Sequence, residues 1–360
     1  MMQTDFYALV GQLKNSPLSG LIENVSEIYL VGGSLRDFLF GLPIVDYDFV
    51  VHGDDIDKIS SYLDSKNMTH FFLSSGRIRL LRAVYEGVEY DFMPIHRTLK
   101  EDMQRRDFTM NAIYYNIKEN TLHEQDKAFS DIDNRILRVV SASSISDDPI
   151  RIFRAIRFAS CLDLTIEEQT LLSIRENQSL ITSVKKERAR EEIKKIFKCD
   201  FRKTTAVLNT IFGFESEEII EKSDVVNNCK TFASFVNKDL PYGTLVHIAL
   251  LEKTLPIFSF AFCGIEKRII EGILAGIEDT SFEKLFERFL LTDPRVLMGA
   301  LIVNLPLSEA TKLCSIVEKW SNIRVEGSEI KRASYDLGIS LKEARVDILR
   351  EKCKKIYDEI

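Results

Sequence analysis

The sequence predicts an α+β protein: a mixed sheet with helices over residues 1–140, followed by an all-helical remainder to residue 360. Three observations carry that expectation. Short β-type runs alternate with helical patterns up to about residue 140. From Asp147 onward the apolar spacing turns helical. No internal repeat or low-complexity tract interrupts either part.

The elements follow in order. Residues near 6–24 read as an amphipathic helix, with Phe6, Leu9, Val10 and Leu13 at helical spacing. Ile28-Tyr29-Leu30-Val31 is a β-like run that ends at Gly32-Gly33, after which Ser34 to Phe40 can start a helix. Val45 to Val51 reads as a strand and Ile56 to Asp64 as a helix. His70 to Leu73, Ile78 to Tyr85 and Val88 to Met93 read as further strands, and Phe108 to Tyr115 begins a new element. Beyond Asp147, helical periodicity covers Pro149 to Leu162, Ile166 to Ser173 and Lys186 to Lys198. Leu240-Pro241-Tyr242-Gly243 marks a break in the helical remainder.

The length of 360 residues suggests two or three domains, and 45% hydrophobic with 29% charged residues is a globular balance. No apolar run reaches about 18 residues, so no membrane helix is expected. Met1 to Phe6 lacks a basic segment leading into an apolar stretch, so no signal peptide is expected. The six cysteines show no CxxC spacing, which argues against a zinc site or redox pair. They are read as buried or incidental thiols of a cytoplasmic protein. A net charge of −7 argues weakly against a broad nonspecific nucleic-acid surface but leaves room for a local basic face. Lys185, Lys186, Arg188, Arg190, Lys194, Lys195 and Lys198 form such a stretch, although interleaved glutamates fit a solvated helix face equally.

Four constellations carry chemistry. Gly32-Gly33-Ser34-Leu35-Arg36-Asp37 lies between a strand and a helix. Paired glycines let backbone approach a ligand, the helix start offers free N–H groups to phosphate, and Ser34 and Arg36 add donors. Alone, the segment is also a plain tight turn. Asp46-Tyr47-Asp48 follows on the next strand, where residues two apart share a face. Two carboxylates on one face repel unless a cation sits between them, and hard oxygen ligands suit Mg²⁺ together with substrate phosphate oxygens. Asp91 is a third carboxylate, able to accept a proton from an attacking hydroxyl or to help hold metal; Glu89 on the same face is its rival.

The third constellation is Arg105-Arg106-Asp107-Phe108-Thr109-Met110-Asn111. Asp107 and Asn111 are neighbours on a helix and can bind ribose hydroxyls, while the arginines can bind triphosphate oxygens in pairs. The fourth is Asp147-Asp148-Pro149-Ile150-Arg151-Ile152-Phe153-Arg154, with Arg157 continuing the Arg151–Arg154 row. Pro149 fits a helix start. A carboxylate and a guanidinium, Asp148 and Arg151, complement the Watson–Crick edges of cytosine and adenine. Guanine and uracil leave that pair mismatched, and unpaired buried groups are costly. The bland alternative is a capping acid with a surface salt bridge.

Together these segments resemble one family, the class II tRNA nucleotidyltransferases and bacterial poly(A) polymerases. VGGSLRD, DYDFVV, EDMQRRDFTMNAIYYN, DDPIRIFRAIRFA and ERAREEIKKIF stand in the family's order across roughly residues 28–198. The resemblance implies a polymerase-β-like head (1–140), a helical neck bearing the base-selecting site (141–200), and a helical body and tail (201–360) that grip tRNA. Gly32, Gly33, Ser34 and Arg36 are then expected to hold the triphosphate. Asp46 and Asp48 are expected to bind two Mg²⁺ ions, one to activate the attacking hydroxyl and the other to stabilise the leaving pyrophosphate. Arg106, Asp107 and Asn111 are expected to bind sugar and phosphates. Asp148 and Arg151, with Arg154 in support, are expected to select the base, and Glu187 and Arg188 to steady the neck. The implied reaction is in-line attack of the tRNA 3′-hydroxyl on the α-phosphate of CTP or ATP.

Two departures stand out. Pro94 to Gln104 is short where members building the whole CCA carry a longer loop, as in members that add only CC. Asp126 to Asp133 replaces an expected glycine-bearing hinge. The five histidines lack metal-type spacing, so an HD-type phosphohydrolase domain is not expected. CC-only addition, poly(A) synthesis and a noncatalytic RNA-binding module are the competing expectations; no oligomeric state follows from the sequence.

Overall fold

The computed structural model describes residues 11, 13, 18–75, 78–95, 97–237, 240–277 and 279–359. Phe6, Leu9 and Val10 of the first expected helix lie outside them; Leu13 is buried. The chain forms two compact units, Met1–Leu180 and Ile181–Ile360.

The first unit is built on a sheet that has seven strands among the described residues, in the order β3-β4-β5-β2-β1-β6-β7. These are β1 (Ile28–Val31), β2 (Asp46–Val51), β3 (Thr69–Ser75), β4 (Ile78–Tyr85), β5 (Val88–Pro94), β6 (Ile113–Asn116) and β7 (Thr121–Glu124). β1 is buried at all four positions and occupies the interior of the sheet between β2 and β6. β2 runs parallel to β5, whereas the other neighbours are antiparallel, which makes the sheet mixed as expected. The pleat sends Tyr47 and Phe49 to one face, where Tyr47 stacks on Tyr90 and Phe49 on Phe92. Asp46, Asp48 and Val50 take the other face, and Val50 packs there with Tyr29, Val31, Met103 and Tyr114.

Helix α1 (Ser19–Asn24) precedes β1, α2 (Gly32–Leu39) follows it directly, and α3 (Ile56–Ser65) buries Ile59 and Leu63. The connection after β5 is α4 (Leu99–Gln104), capped by the Thr98 hydroxyl. The short α5 (Ala128–Asp133) and β7 carry too few apolar positions to show a period, and the sequence does not announce them. After α6 (Ser144–Asp147) comes α7 (Ile150–Leu162), an apolar helix with Phe153, Ile156 and Phe158 buried and Pro149 just before it. The helix expected over Ile166–Ser173 differs: Thr165–Ile166 pairs with Ile136–Leu137, and α8 runs Glu168–Glu176. The cause is local. The Glu167 carboxylate accepts from the Thr170 N–H at 2.8 Å and caps a helix that starts two residues later than expected.

The second unit is mostly helical: α9 (Lys186–Ile196), α10 (Phe201–Phe212), α11 (Glu217–Asn228), α12 (Tyr242–Glu252), α13 (Gly264–Leu274), α14 (Phe282–Leu291), α15 (Pro294–Asn304), α16 (Leu307–Ser321), α17 (Gly327–Leu337) and α18 (Leu341–Asp358). α15 is buried at eight consecutive positions, Val296 to Val303, the signature of a helix at the centre of its core. Trp320 is 1% exposed against Phe282, Phe286 and Phe289, and its indole N–H donates to the Cys353 carbonyl at 3.0 Å. The break read at Leu240–Gly243 is the entry to α12, with Pro241 at its N-cap. In the basic stretch, Lys194 pairs with Glu191, Lys195 with Glu192, and Arg190 with the buried Glu266. Those three cations therefore serve local ion pairs. Among the described residues Cys229, Cys263, Cys314 and Cys353 are free thiols. Among the described residues no helix is long and apolar enough to cross a membrane.

Candidate active site

The site begins where β1 turns into α2. Gly32 has φ +68°, a left-handed backbone that glycine adopts without strain. A Cβ there would also lie 3.0 Å from Asp48 Oδ2. Both facts demand glycine. The register pairs Val31 with Asp48, so the turn lies beside the second acid of β2. The Gly33 N–H points at Asp48 Oδ2 at 3.3 Å. The Ser34 hydroxyl donates to the Val31 carbonyl at 2.9 Å and accepts from the Asp48 N–H at 3.4 Å. Ser34 therefore clamps the turn to the strand.

Asp46 is exposed and Asp48 half-buried, on one face as the two-residue period requires. Burial raises the Asp48 pKa, Asp46 and Asp91 push it further, and Arg106 and the Gly33 N–H oppose them. A partly desolvated carboxylate beside like charges favours a cation, and its oxygen chemistry suits a hard divalent ion. The residues therefore fit a metal held by Asp46 and Asp48. Among the described residues no group of three ligating side chains is gathered. Asp91 is in register with Asp48, but Arg82 of β4 holds its two oxygens at 2.7 Å each and reaches Glu89 at 2.7 Å.

The third constellation is drawn together by α4 and the turn after it. Arg105 pairs with the buried Asp102 at 2.6 Å. Arg106 instead turns inward, donating from Nε to the Tyr114 hydroxyl at 2.7 Å and from Nη2 to Asp102 at 3.4 Å. Asp107 and Asn111 are joined at 2.9 Å across a 3₁₀ turn (Thr109–Asn111). Asn111 Oδ1 accepts from Arg36 at 3.1 Å, which links the glycine turn to this segment. Asp107 is buried, and its other oxygen takes the Arg154 Nε at 2.6 Å. Burial acts to raise the Asp107 pKa, but Arg154, Asn111 and the Phe108 N–H outweigh it and hold the carboxyl low.

The fourth constellation lies at the start of α7. Arg151 donates to the Ser144 carbonyl at 3.1 Å, to the Ser144 hydroxyl and to the Arg105 carbonyl. Asp148 is the extended residue between α6 and α7, half-buried, and its carbonyl accepts from the Arg151 N–H at 3.0 Å. Arg36, Arg154 and Arg157 all face the buried Phe158 ring, at 4.8, 5.3 and 4.0 Å from its centroid. The structure thus connects Arg36, Asn111, Asp107 and Arg154 in one chain of bonds. Asp48 lies at its glycine end and Arg151 at its other end, through Ser144, whose hydroxyl donates to the Asp107 carbonyl at 3.1 Å.

Sequence reasoning missed Arg82, Asp102, Tyr114 and Ser144. Asp102 was findable, because it lies three and four residues before Arg105 and Arg106 on a helix. Arg82 becomes visible only once the β4–β5 register is known.

Residues 28–138 match the poly(A) polymerase head domain, and residues 163–206 match the probable RNA- and SrmB-binding site of polymerase A. A CC-adding tRNA nucleotidyltransferase of Synechocystis is 34% identical over 166 residues, 45% of this chain and 40% of that protein. A CCA-adding enzyme of Streptococcus mutans is 31% identical over 188 residues, 49% of this chain and 47% of that protein. The matched region thus spans less than half of each relative's length. The Thermotoga maritima CCA-adding enzyme complexed with tRNA superposes with a TM-score of 0.69 at 18% identity, covering 98% of this chain and 97% of that one. Fold and matched regions together define a poly(A) polymerase-type head followed by a mostly helical region. Residues 28–138 thus belong to the poly(A) polymerase head-domain family, and the chain shares the fold of the CCA-adding enzymes.

Proposed function

We propose that this chain is a template-independent tRNA nucleotidyltransferase that adds C and/or A to the tRNA 3′ end, using CTP and ATP and Mg²⁺. The observation that carries the reading is the facing of the Gly33 N–H and Asp48 beside Asp46. The backbone N–H groups of the β1–α2 turn and a pair of metal-type acids on the adjoining strand β2 lie side by side. The names of the relatives support the same reading. Asp46 and Asp48 would hold Mg²⁺, which would supply charge neutralisation and activation of the attacking hydroxyl. The Gly32–Gly33 turn, Ser34 and Arg36 receive the triphosphate, and Arg106 reaches its oxygens. Asp107 and Asn111 bind the sugar. Asp148 and Arg151, with Arg154 behind them, select the base. Asp91 accepts the proton of the attacking hydroxyl. Residues 1–140 form the catalytic head, 141–200 the neck, and 201–360 the tRNA-binding body and tail.

A second reading, addition of CC alone, is favoured by the tight connection after β5. Only Ile95 to Thr98 separate that strand from α4. The deciding assay gives purified protein tRNAs ending before CCA, after C and after CC, each with CTP or ATP. Incorporation of A onto CC-ended tRNA excludes the CC-only reading. Long A tails on unrelated RNA support a poly(A) polymerase instead, and no incorporation with any substrate overturns both tRNA readings.

A further inference from the structure

The arginine doublet Arg105-Arg106 is tied at both members to one buried acid, but by different means. Asp102 is fully buried and pairs directly with Arg105 at 2.6 Å. Toward Arg106 the nearest bond from Asp102 is long, 3.4 Å. The short path runs through Tyr114, whose hydroxyl donates to Asp102 and accepts from Arg106 Nε at 2.7 Å. The Arg106 guanidinium also lies over the Tyr114 ring, 5.2 Å from its centroid. Tyr114 is itself immovable: 0% exposed, in register with Val31 at the end of β1, and packed with Tyr29, Val50 and Met103. A tyrosine in the middle of a core costs desolvation of its hydroxyl unless both its donor and acceptor sites are used, and here both are.

We infer that Tyr114 is a positioning residue for Arg106. It fixes the Nε edge and the plane of the guanidinium, so that the remaining N–H groups stay directed at the nucleotide phosphates over Asp48. Two observations point the same way. Arg106 interacts electrostatically with Asp48, so its charge lies at the acidic end of the site. The strand that carries Tyr114 pairs with β1, which ends in the glycine turn, so one packing arrangement sets both the turn and the arginine. A flexible arginine pays rotamer entropy when it grips phosphate; one already held at Nε pays less. The inference rests on the reading of this head as a nucleoside triphosphate site.

The test measures CTP and CMP binding by competition with a fluorescent triphosphate analogue in Mg²⁺, for the full chain and for Tyr114→Phe. Tyr115→Phe, on the same strand as Tyr114, is the control; its hydroxyl bonds Asn120 at 3.2 Å in the turn that follows, away from Arg106. Loss of one hydrogen bond to a charged group predicts about tenfold weaker CTP binding in Tyr114→Phe. CMP, lacking the β and γ phosphates, is expected to change less than about threefold, and Tyr115→Phe to change neither. In turnover, KM for CTP rises while kcat stays within about threefold. Equal loss of CTP and CMP makes Tyr114 a general packing residue and overturns the inference, as does unchanged CTP binding in a folded Tyr114→Phe. Absence of triphosphate binding in the unaltered chain overturns the functional reading itself, and the two failures are told apart by that control.

Discussion

Arg82 and Asp91 form a two-pronged ion pair across neighbouring strands, with both carboxylate oxygens held at 2.7 Å. Because Arg82 also reaches Glu89, it neutralises part of the acidic row that includes Asp46 and Asp48. Replacing Arg82 with Met removes that cation without removing an acid. Divalent metal should then bind more tightly, by roughly tenfold, since one nearby positive charge is lost from a cation site. Titration of Mn²⁺ followed by electron paramagnetic resonance reads this directly. Equal or weaker Mn²⁺ binding in Arg82→Met would show that Arg82 does not set the charge of the metal site.

How much of this site was legible follows from the range of each interaction. The glycine turn and the Asp46–Asp48 pair are local: a left-handed φ at Gly32 and a two-residue strand period are both written in adjacent residues. Asp107 and Asn111 were also legible as neighbours, although a 3₁₀ turn rather than a full helix joins them. The partners that orient these groups were not. Arg82 meets Asp91 only through the β4–β5 register, and register depends on the whole hairpin. Ser144 meets Arg151 across the extended residue Asp148, where helical spacing fails. Tyr114 reads as one more core aromatic until its hydroxyl partners are seen.

Asp48 supplies the sharpest test of the metal chemistry. Asp48→Asn keeps the shape and the contact with the Gly33 N–H but loses the charge. Nucleotide incorporation should fall by at least about a thousandfold, while tRNA binding measured by gel shift persists. Without metal the variant should melt no lower than the unaltered chain, because it relieves repulsion from Asp46 and Asp91. Incorporation within tenfold of the unaltered chain would remove Asp48 from the metal site.

Alanine at Gly32 tests the turn itself. The side chain is unwelcome in the left-handed region and meets Asp48 Oδ2 at 3.0 Å. Gly32→Ala should cost about 1–3 kcal/mol of stability by denaturant unfolding. It should also weaken triphosphate binding, since the turn must shift to relieve the contact. Unaltered stability together with unaltered CTP affinity would mean that the turn is not held as described.

The buried Asp107–Arg154 pair gives the acid limb of the stability profile. Its carboxyl is held below the ordinary range, so the unfolded chain binds the proton more readily than the folded one. Its contribution is therefore complete above the unfolded value, near pH 4, and is lost as the pH falls through the lower folded value. Asp107→Asn should cost about 2–3 kcal/mol at neutral pH, discounted for the partial exposure of Arg154, and flatten the acid limb. Unfolding free energies at pH 7 and pH 3 measure both effects. An equally steep acid limb in the variant would assign the loss to other carboxylates.

The proposed base selection rests on Arg151. Arg151 is pinned by the Ser144 hydroxyl and carbonyl, and Ser144 in turn bonds the Asp107 carbonyl, so the residue proposed to select the base is tied to the one proposed to bind the sugar. A rigid guanidinium beside Asp148 can reject uracil because its own donors would be left unpaired, and rigidity is what makes the rejection costly. Arg151→Ala should lower the ratio of kcat/KM for CTP over UTP by about ten- to a hundredfold. Ser144→Ala, which loosens Arg151 without removing it, should lower the same ratio by only about threefold, and mainly through gain of UTP use. Single-nucleotide incorporation onto tRNA lacking its 3′ end, with each triphosphate in turn, gives the three ratios. If Arg151→Ala discriminates as well as the unaltered chain, the base is read elsewhere, and the Ser144 bonds serve only to cap the junction between α6 and α7.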